Sequence, residues 1–376
     1  MKKIIIFYAS YGGGHLSAAK SIESYLKKNY TDLDVELIDC IKYINKTIDK
    51  VSTVAYREMA KKVPWAWGKI YNDSQKGPLA HISSRANSFM AIKLLRLLRE
   101  KNPDVIISTH PFGSQMCSYL KRKGKINCKI ATIMTDFKSH DQWLVGSNHI
   151  DYFFVSNENM KQELIYKNID ISKIFVTGIP VSEKFLINYN KQEILDNLNF
   201  SKDKKTILFF AGGEFGIGKN KTLSVFECLV KYFNNIQIIA ISGRNENMKK
   251  NFIKIVLENN KQDCVIIFDY TDKVAEFMSI ADLVITKPGG LTTTESLVSG
   301  VPMIVINPIP GQEEENAEFL EEHQVAVWIK KDDDVNSILN YLLNDDKKLD
   351  LLKNNINLIS QPESTKNICD IILKSV

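Results

Sequence analysis

A pattern of strand, glycine turn and helix occurs twice in this chain and constrains its fold more than any other feature. The first copy reads IIIFYASYGGGHLSAAKSI, from Ile4 to Ile22, and its opening apolar run is typical of a buried parallel strand. After the glycines, apolar residues recur at helical spacing as far as Leu26. The second copy, KTILFFAGGEFGIGKNKTL, begins at Lys205 and ends at Leu223. Two such copies predict two domains built from βαβ units.

Strand-like and helical segments alternate downstream of both copies. The strand-like segments are DVELID, PDVIIST, KIATIMTD, DYFFVS and KIFVTG in the first half, and IQIIAISG, CVIIFDY, ADLVITK and PMIVINP in the second. This alternation is typical of α/β domains with doubly wound parallel sheets. Ligands bind such sheets at the carboxyl ends of the strands. The functional loops should therefore be those after Tyr8, Thr109, Met134, Ala211, Ser242, Tyr270, Thr286 and Asn307.

The first sheet is expected to end at GIPVSEKFLINYN, from Gly178 to Asn190. We therefore expect an N-terminal Rossmann-like domain over residues 1–185 and a C-terminal one over residues 186–360. The last segment, residues 361–376, contains the amphipathic stretch TKNICDIILKSV, which is suited to packing back on the first domain.

The composition excludes several classes of protein. The chain has 376 residues, 44% hydrophobic and 25% charged, and no apolar run is long enough to span a membrane. MKK leads directly into a strand, so we expect no signal peptide and a cytoplasmic protein. The net charge of +5 is too small to indicate a nucleic-acid partner. The six cysteines lack metal-ligand spacing, so we expect reduced core thiols and no metal site.

Both glycine turns are candidate anion sites, because unpaired N–H groups at a helix start attract negative charge. The simplest alternative is a tight turn that binds nothing. A second is a dinucleotide site, with Gly12 and Gly14 in the fingerprint, Ser17 in place of its third glycine, and Asp39 ending the next strand. A third is a nucleotide-hydrolase loop, Gly213 to Asn220, whose last residue replaces the hydroxyl that would bind Mg²⁺.

A longer segment favours a nucleotide sugar as the ligand: KPGGLTTTESLVSGVPMIVINPIPGQEEENAEFL, from Lys287 to Leu320. N–H groups and hydroxyls from Leu291 to Thr294 can hold a diphosphate at a helix start, and Glu295 can accept both ribose hydroxyls. Gln312 and Glu313 would then face the hexose. The four residues TTTE, read as TxxE, also fit a capping box, which would need no ligand.

Eight short motifs, taken together, resemble one glycosyltransferase family. They are GGGH at Gly12, HPF at His110, TDF at Thr135, GIPV at Gly178, GGEFGIG at Gly212, SGRN at Ser242, KPGG at Lys287 and PGQEEEN at Pro310. Each motif alone is weak, but eight in this order run almost from end to end. The chain resembles the glycosyltransferases that make monogalactosyl- and glucosyl-diacylglycerols, which are relatives of the lipid II N-acetylglucosaminyl transferases.

The resemblance implies a GT-B fold, in which two Rossmann-like domains face each other across a cleft. It also implies inverting transfer by single displacement, with the UDP-sugar mainly on the second domain, the lipid on the first, and no cofactor or bound metal. Uracil would lie near Arg244 and the backbone of Tyr270 and Thr271. The complete set of expected donor-binding residues is Gly212, Gly213, Glu214, Gly216, Arg244, Asn245, Tyr270, Thr271, Gly289, Gly290, Leu291, Thr292, Thr293, Glu295, Gln312, Glu313 and Asn316.

Inverting transfer needs a base for the acceptor hydroxyl and positive groups that offset the charge on the leaving UDP. Helix N-termini and glycine-loop N–H groups would supply the positive groups. For the base, the resemblance offers Asp136 and His15, and we favour Asp136, which ends a strand and is anionic without a pKa shift. His15 is the alternative base, or a contact to phosphate or anionic lipid. Asp136 also fits the N-cap of a following helix.

A long insert, from Lys42 to Asn102, separates the second strand from PDVIIST. Trp65, Trp67 and Tyr71 lie among lysines there, a composition that suits the headgroup layer of an anionic membrane surface. The stretch from Phe89 to Lys101 pairs apolar and basic residues, but we favour a crossover helix packed on the sheet. The residues expected to contact the acceptor or the membrane are Gly13, Gly14, His110, Trp65, Trp67 and Tyr71.

These features predict an inverting glycosyltransferase that moves a hexose, glucose or galactose, from a UDP-sugar to diacylglycerol. We expect it to bind peripherally to the cytoplasmic face of the membrane. One alternative is a lipid II type transferase that uses UDP-N-acetylglucosamine. The other is a regulatory protein that binds nucleotide sugars without turnover.

Overall fold

The computed structural model of the chain describes residues 1–10, 13–44, 78–212 and 219–374, with side chains from residue 90 onward in the third range. The chain divides into two compact units, Met1–Glu183 with Gln361–Val376, and Lys184–Ser360. Each unit contains one six-stranded parallel sheet with helices between its strands. The predicted α/β class with two doubly wound sheets is therefore confirmed.

The first unit has its strands in the order β2-β1-β3-β4-β5-β6, all parallel. These strands are β1 (Lys2–Tyr8), β2 (Leu33–Asp39), β3 (Val105–Ser108), β4 (Lys129–Ile133), β5 (Tyr152–Val155) and β6 (Ile174–Val176). The helices are α1 (Gly14–Asn29), α2 (Cys40–Ile44), α3 (Pro78–Lys101), α4 (Pro111–Arg122) and α5 (Glu158–Tyr166). Because β2 and β3 flank β1 on opposite sides, the topological switch point lies between β1 and β3.

Both faces of the first sheet are covered. Along β1, Ile4 and Ile6 belong to one core cluster, whereas Ile5 and Phe7 belong to the cluster on the other face. A strand buried on both faces needs apolar residues at every position, which explains the continuous run seen in the sequence. Helix α3 packs Leu94 and its buried neighbours against the second cluster, so the preferred interpretation of this stretch as a packed crossover helix is confirmed.

The second unit has the strand order β12-β11-β10-β7-β8-β9, again all parallel. These strands are β7 (Lys205–Phe210), β8 (Ile236–Ile241), β9 (Val265–Phe268), β10 (Leu283–Thr286), β11 (Met303–Ile306) and β12 (Ala326–Ile329). The helices are α6 (Lys191–Asn197), α7 (Lys219–Tyr232), α8 (Glu246–Glu258), α9 (Val274–Ile280), α10 (Gly290–Val298), α11 (Gln312–Glu322), α12 (Val335–Leu343) and α13 (Asp346–Ile359). Here the switch point lies between β7 and β10.

The last helix, α14 (Ser364–Leu373), belongs to the first unit. Its Cys369 lies in the core cluster that also contains Ile4, and its Ser364 hydroxyl donates a hydrogen bond to the Ile179 carbonyl at 2.8 Å. Gly178 has φ +82°, and a Cβ there would lie 2.5 Å from the Cβ of Gln361. The glycine of GIPV therefore allows the chain to pass directly beneath the start of this last segment.

Two further expectations from the sequence concern the cysteines and membrane-spanning helices. All six cysteines are free, and five of them are buried, as expected for reduced core residues. Within the described ranges, no helix has both the length and the apolar composition that a membrane crossing requires.

Candidate functional site

Lys287 and Gly212 meet at the switch point of the second sheet. Lys287 directly follows β10, and Gly212 follows the neighbouring strand β7. Gly212 has φ +87°, and a Cβ there would lie 3.1 Å from the Lys287 Cε. The lysine side chain is only 9% exposed, and its Nζ has no hydrogen-bond partner among the described residues. Burial lowers the pKa of this ammonium, and the nearby Glu313 carboxyl opposes that shift.

Helix α10 begins at this point without a side-chain cap. Gly289 is its N-cap and Gly290 its first residue, so the cap residue offers no side-chain acceptor to the N–H groups of the first turn. Thr292 therefore lies inside the helix, and the capping-box interpretation is wrong because the helix starts before that threonine. The Thr294 hydroxyl donates to the Gly290 carbonyl at 2.7 Å, whereas the buried Thr293 hydroxyl has no partner among the described residues. The start of α10 can accept an anion.

Glu295 lies on α10, one turn beyond this start, next to the buried Leu291. Burial raises the pKa of its carboxyl to about 8. Among the described residues, no cation or hydrogen-bond donor offsets the loss of water around this carboxyl. A ligand that donates hydrogen bonds would offset that loss, and a vicinal diol is such a ligand.

The loop after β11 brings three more predicted residues to the same edge. Gln312 begins α11, and the Glu313 carboxylate accepts a hydrogen bond from the Ile309 N–H at 2.7 Å. Burial raises the pKa of Glu313, against the opposing effects of Lys287 and of this N–H. Asn316 is fully buried, and its amide donates to the Pro288 carbonyl at 3.0 Å. Asn316 thereby fixes α11 to the turn that precedes α10.

The loops after β8 and β9 bring Arg244 and Tyr270 together. The guanidinium carbon of Arg244 lies 5.8 Å from the centroid of the Tyr270 ring, and Tyr270 is 74% exposed. Asn245 is the N-cap of α8, where its side-chain oxygen accepts the Met248 N–H at 3.1 Å. The Thr271 hydroxyl accepts the N–H of the second residue after it at 3.1 Å. A guanidinium and an aromatic ring, which can both stack on a base, thus lie together after these two strands.

Six predicted residues lie outside the described ranges. They are Gly213, Glu214 and Gly216 of the second glycine turn, and Trp65, Trp67 and Tyr71 of the long insert. Their assignments remain predictions.

His15 occupies the switch point of the first sheet, at the start of α1. Its Nδ1 lies 2.6 Å from the Thr109 carbonyl oxygen and 3.1 Å from the Thr135 hydroxyl. Because a carbonyl can only accept, Nδ1 carries the ring proton and Nε2 has the lone pair. Burial lowers the pKa of His15 to about 4, partly opposed by the Thr109 carbonyl. The imidazole is therefore neutral near pH 7, with Nε2 as a hydrogen-bond acceptor.

His110 contacts His15 edge to face, with ring centroids 4.6 Å apart. It caps α4 by accepting the Phe112 N–H on Nδ1 at 3.2 Å, which places its proton on Nε2. Burial, followed by the neighbouring His15, holds the pKa of His110 well below its usual value. The two rings are thus neutral and of opposite polarity, one with an acceptor Nε2 and the other with a donor Nε2.

Asp136 follows Thr135 and so lies close to His15 along the same edge. It is 7% exposed, and its backbone carbonyl accepts the Ser156 hydroxyl at 2.9 Å. The next helical turn begins only at Asp141 and is capped by His140. The interpretation of Asp136 as an N-cap is therefore wrong, because no helix starts there.

Gly13 and Gly14 form the start of α1, with Gly13 as its N-cap. A Cβ on Gly13 would meet nothing within 4 Å, so the space beside Gly13 is open. Asp39, the residue that supported a dinucleotide site, instead accepts the Ser10 hydroxyl at 2.5 Å and the Lys42 N–H at 3.0 Å. The carboxylate of Asp39 is engaged within its own unit, which does not favour a bound ribose. In the described part of the chain, no three His, Cys, Asp or Glu side chains converge as a metal-binding group.

Sequence reasoning missed Lys287, Thr109 and Thr135 as members of these sites. Lys287 stands in the quoted KPGG motif directly after a strand, and that position was the available signal. The two threonines also end or follow strands. Their roles depend on contacts between residues far apart in the chain, which the sequence does not show.

Two family models match the chain one after the other. The model of monogalactosyldiacylglycerol (MGDG) synthase matches residues 15–181, and that of the glycosyltransferase family 28 C-terminal domain matches residues 206–366. The processive diacylglycerol beta-glucosyltransferase of Bacillus cytotoxicus is 30% identical, over 99% of this chain and 93% of that protein. The protein of the same name from Bacillus mycoides is 29% identical over the same shares.

Solved structures at much lower identity share the fold. MurG of Acinetobacter baumannii aligns over 100% of both chains with a TM-score of 0.65 at 15% identity. The UDP-GlcNAc 2-epimerase of Neisseria meningitidis, bound to UDP-GlcNAc, aligns over 100% of both chains with a TM-score of 0.65 at 14% identity. These likenesses confirm the predicted GT-B fold. The chain belongs to the glycosyltransferase family of the monogalactosyldiacylglycerol synthases and processive diacylglycerol glucosyltransferases.

Proposed function

We propose that this glycosyltransferase moves a hexose from a UDP-sugar to diacylglycerol, with inversion at the anomeric carbon and without a bound metal. One observation carries the donor class: the uncapped start of α10 lies at a switch point with Lys287 before it and Glu295 one turn beyond. A helix start and an ammonium suit a diphosphate, and a carboxyl suits a ribose diol. The acceptor class rests on the relatives, which are named as diacylglycerol glucosyltransferases.

The proposed donor contacts follow the order of the strands. Loops after β8 and β9 take the uracil at Arg244 and Tyr270, and the loop after β10 takes the diphosphate at the start of α10. Glu295 binds the ribose, and the loop after β11 takes the hexose at Gln312 and Glu313. Because β11, β10, β7, β8 and β9 are consecutive in the sheet, one extended ligand spans their carboxyl ends.

The transfer step needs a base in the first unit. The acceptor oxygen bonds to the anomeric carbon, while the bond from that carbon to the β-phosphate oxygen breaks and leaves its electron pair on UDP. The hydroxyl proton passes to the base. We assign this role to Asp136, whose carboxylate also offsets positive charge on the reacting sugar. The unprotonated Nε2 of His15 is suited to hold the acceptor hydroxyl.

A panel of donors tests the proposed function. Diacylglycerol vesicles are incubated with the protein and with UDP-glucose, UDP-galactose or UDP-N-acetylglucosamine in turn. The molecular masses of the extracted lipids are then measured by mass spectrometry. We expect a glycosyldiacylglycerol from one of the two hexose donors. Product formed only from UDP-N-acetylglucosamine would favour the lipid II type alternative. UDP binding without any turnover would favour the regulatory protein.

Peripheral association with the cytoplasmic face of the membrane is part of the proposal. Tyr43 of α2 and Ile92 of α3 are exposed apolar side chains, with Lys42, Lys93 and Arg96 exposed beside them in sequence. The Lys93 ammonium reaches the last carbonyl of α2 at 3.5 Å, so the two helices meet. Apolar and basic side chains together suit an anionic lipid surface. Pelleting with anionic and with neutral vesicles tests this, and equal pelleting with both would contradict it.

A further inference from the structure

We propose that Lys287 holds the diphosphate of the UDP-sugar and compensates the negative charge on the departing UDP. This inference rests on the proposed function, and it adds a residue that the sequence did not assign to the donor site. The ammonium would act as a point charge next to the first-turn N–H groups of α10, two phosphate-binding features within one short turn.

The first support is the isolation of the ammonium. Lys287 is 9% exposed, and its Nζ and the Thr293 hydroxyl are the two buried side-chain polar atoms without partners among the described residues. Lys287 lies in the segment that joins β10 to α10, and Thr293 lies in the first turn of α10. A buried donor without an acceptor costs stability. Two such atoms at the start of one helix point to a ligand that supplies the acceptors.

The second support is the path of the side chain. Gly212, at the end of β7, has a backbone conformation that L residues rarely adopt, and the Lys287 Cε lies 3.1 Å from the place of its missing Cβ. The lysine stem therefore packs against Gly212. Lys287 and Gly212 both follow the carboxyl ends of their strands, which is where a donor diphosphate would lie.

Glu313 does not account for the ammonium. Its carboxylate accepts the Ile309 N–H at 2.7 Å, and no hydrogen bond joins it to the Lys287 Nζ in the described residues. Burial shifts the pKa of Lys287 downward and that of Glu313 upward, so both shifts favour the neutral forms. In an ion pair between a lysine and a carboxylate, the pKa of the lysine would be raised and that of the carboxyl lowered. The lysine is more consistent with an anion that arrives with the substrate.

Calorimetric titration with UDP and with uridine tests the proposal, because only UDP has the diphosphate. The proteins are the wild type, Lys287→Met and the control Lys353→Met, a surface lysine of the same unit whose ammonium lies 3.6 Å from Asp282. We expect Lys287→Met to weaken UDP binding about 10- to 100-fold and uridine binding by less than about twofold. Lys353→Met should change neither affinity.

Thermal unfolding of the ligand-free proteins supplies a second readout. Lys287→Met removes a buried ammonium without a partner, so its unfolding temperature should equal or exceed that of the wild type. A lower unfolding temperature together with equal weakening of UDP and uridine binding would show a structural lysine and overturn the inference. UDP binding unchanged in Lys287→Met would overturn it as well.

The Gly212→Ala variant displaces the ammonium while keeping the lysine. We expect it to weaken UDP binding, and to have a much smaller further effect in the Lys287→Met background, because the two changes act on one contact. Fully additive effects would count against the proposal. A wild type that binds no UDP would overturn the proposed function and this inference with it, whereas unchanged binding in Lys287→Met overturns the inference alone.

Discussion

Glu295 and His15 have pKa values that burial shifts in opposite directions, and both shifts favour the neutral side chain. With a pKa of about 8, the carboxyl is mainly protonated near pH 7, and with a pKa of about 4, the imidazole is unprotonated. Neutral groups are less costly to bury, and each still offers a hydrogen-bonding atom at its site. A ligand that prefers the charged form must therefore change the protonation of the group it binds.

The affinity for UDP should depend on pH through Glu295. The ribose hydroxyls donate to the ionised carboxylate, so UDP binding lowers its pKa and releases a proton while the free carboxyl is protonated. The affinity should therefore increase as the pH rises and level off above the free pKa of about 8. Calorimetry across this pH range measures both the affinity and the proton release.

Two variants isolate the contribution of Glu295. Glu295→Gln should have weaker UDP binding that no longer follows this pH dependence, whereas Glu322→Gln, exposed at the end of α11, should behave as the wild type does. In the ligand-free protein, the raised pKa means that stability from Glu295 is complete below the ordinary carboxyl pKa of 4.5 and declines as the pH rises toward 8. A pH dependence that survives in Glu295→Gln would contradict this role.

Asp136→Asn should abolish the proton transfer while leaving the second unit intact. We expect the rate of transfer to fall about 10²- to 10⁴-fold, since an amide cannot accept the proton, with the UDP affinity within about twofold of the wild type. His15→Gln keeps an acceptor oxygen and is expected to lose less activity. Single-turnover kinetics with saturating donor measure this step. Near-normal turnover in Asp136→Asn, or a larger loss of activity in His15→Gln, would indicate that His15 is the base instead.

At the scale of the element, α10 shows what the sequence can and cannot predict. Threonine is a preferred N-cap, so TTTE favours a capping box at Thr292. The helix instead begins at Gly290, and its N-cap, Gly289, has no side chain that could accept the first N–H groups. Local residue preference therefore predicts a helix start capped by its own threonine side chain, whereas the helix start in the structure has no side-chain cap. The strands were predictable because burial on both faces demands apolar residues at every position of β1.

The sites were predictable only in part, and Lys287 shows why. Position after a strand and the presence of glycine identified the loops at the strand ends. The burial of Lys287, however, depends on β7 and β10 becoming neighbours, although about 80 residues separate them in the chain. The fixed tautomer of His15 likewise depends on the distant Thr109 carbonyl. Such contacts exist only after the sheet has formed.

Helix α14 should stabilise the first unit through Thr365. The Thr365 hydroxyl donates to the Val181 carbonyl at 2.8 Å and accepts the Val181 N–H at 3.1 Å. Thr365→Val leaves both buried groups unpaired, which should lower the free energy of unfolding by about 1–3 kcal/mol per unpaired group. Hydrogen exchange at the Val181 amide measures the local effect. Unchanged protection there would contradict it, and the exposed Lys366→Ala on the same helix is the control.

At the scale of the whole molecule, one design is used twice. Each sheet has its switch point next to a glycine turn that follows the first strand of the unit, at β1 and at β7. The first switch point holds two neutral histidines, and the second holds an open helix start beside a buried ammonium. This difference in charge is the basis for assigning the donor to the second unit and the base to the first.

Transfer should not depend on a divalent metal. In the proposal, Lys287 and the start of α10 provide the positive charge that a bound Mg²⁺ or Mn²⁺ provides in other transferases. Prolonged treatment with EDTA should leave the initial rate within about twofold of that of the untreated protein. The control is the treated protein with Mg²⁺ restored in excess. A large loss of rate that Mg²⁺ or Mn²⁺ restores would contradict this assignment.

The most direct test follows the hexose itself. The protein is given diacylglycerol vesicles and UDP-hexose labelled with ¹³C in the sugar, and the labelled glycolipid in the organic extract is quantified against the UDP released into water. The account predicts labelled glycosyldiacylglycerol and UDP in equal amounts, and a rate of formation of both that is about 10²- to 10⁴-fold lower with Asp136→Asn. UDP released with the label remaining in the aqueous phase, as free sugar or in another product, would contradict it.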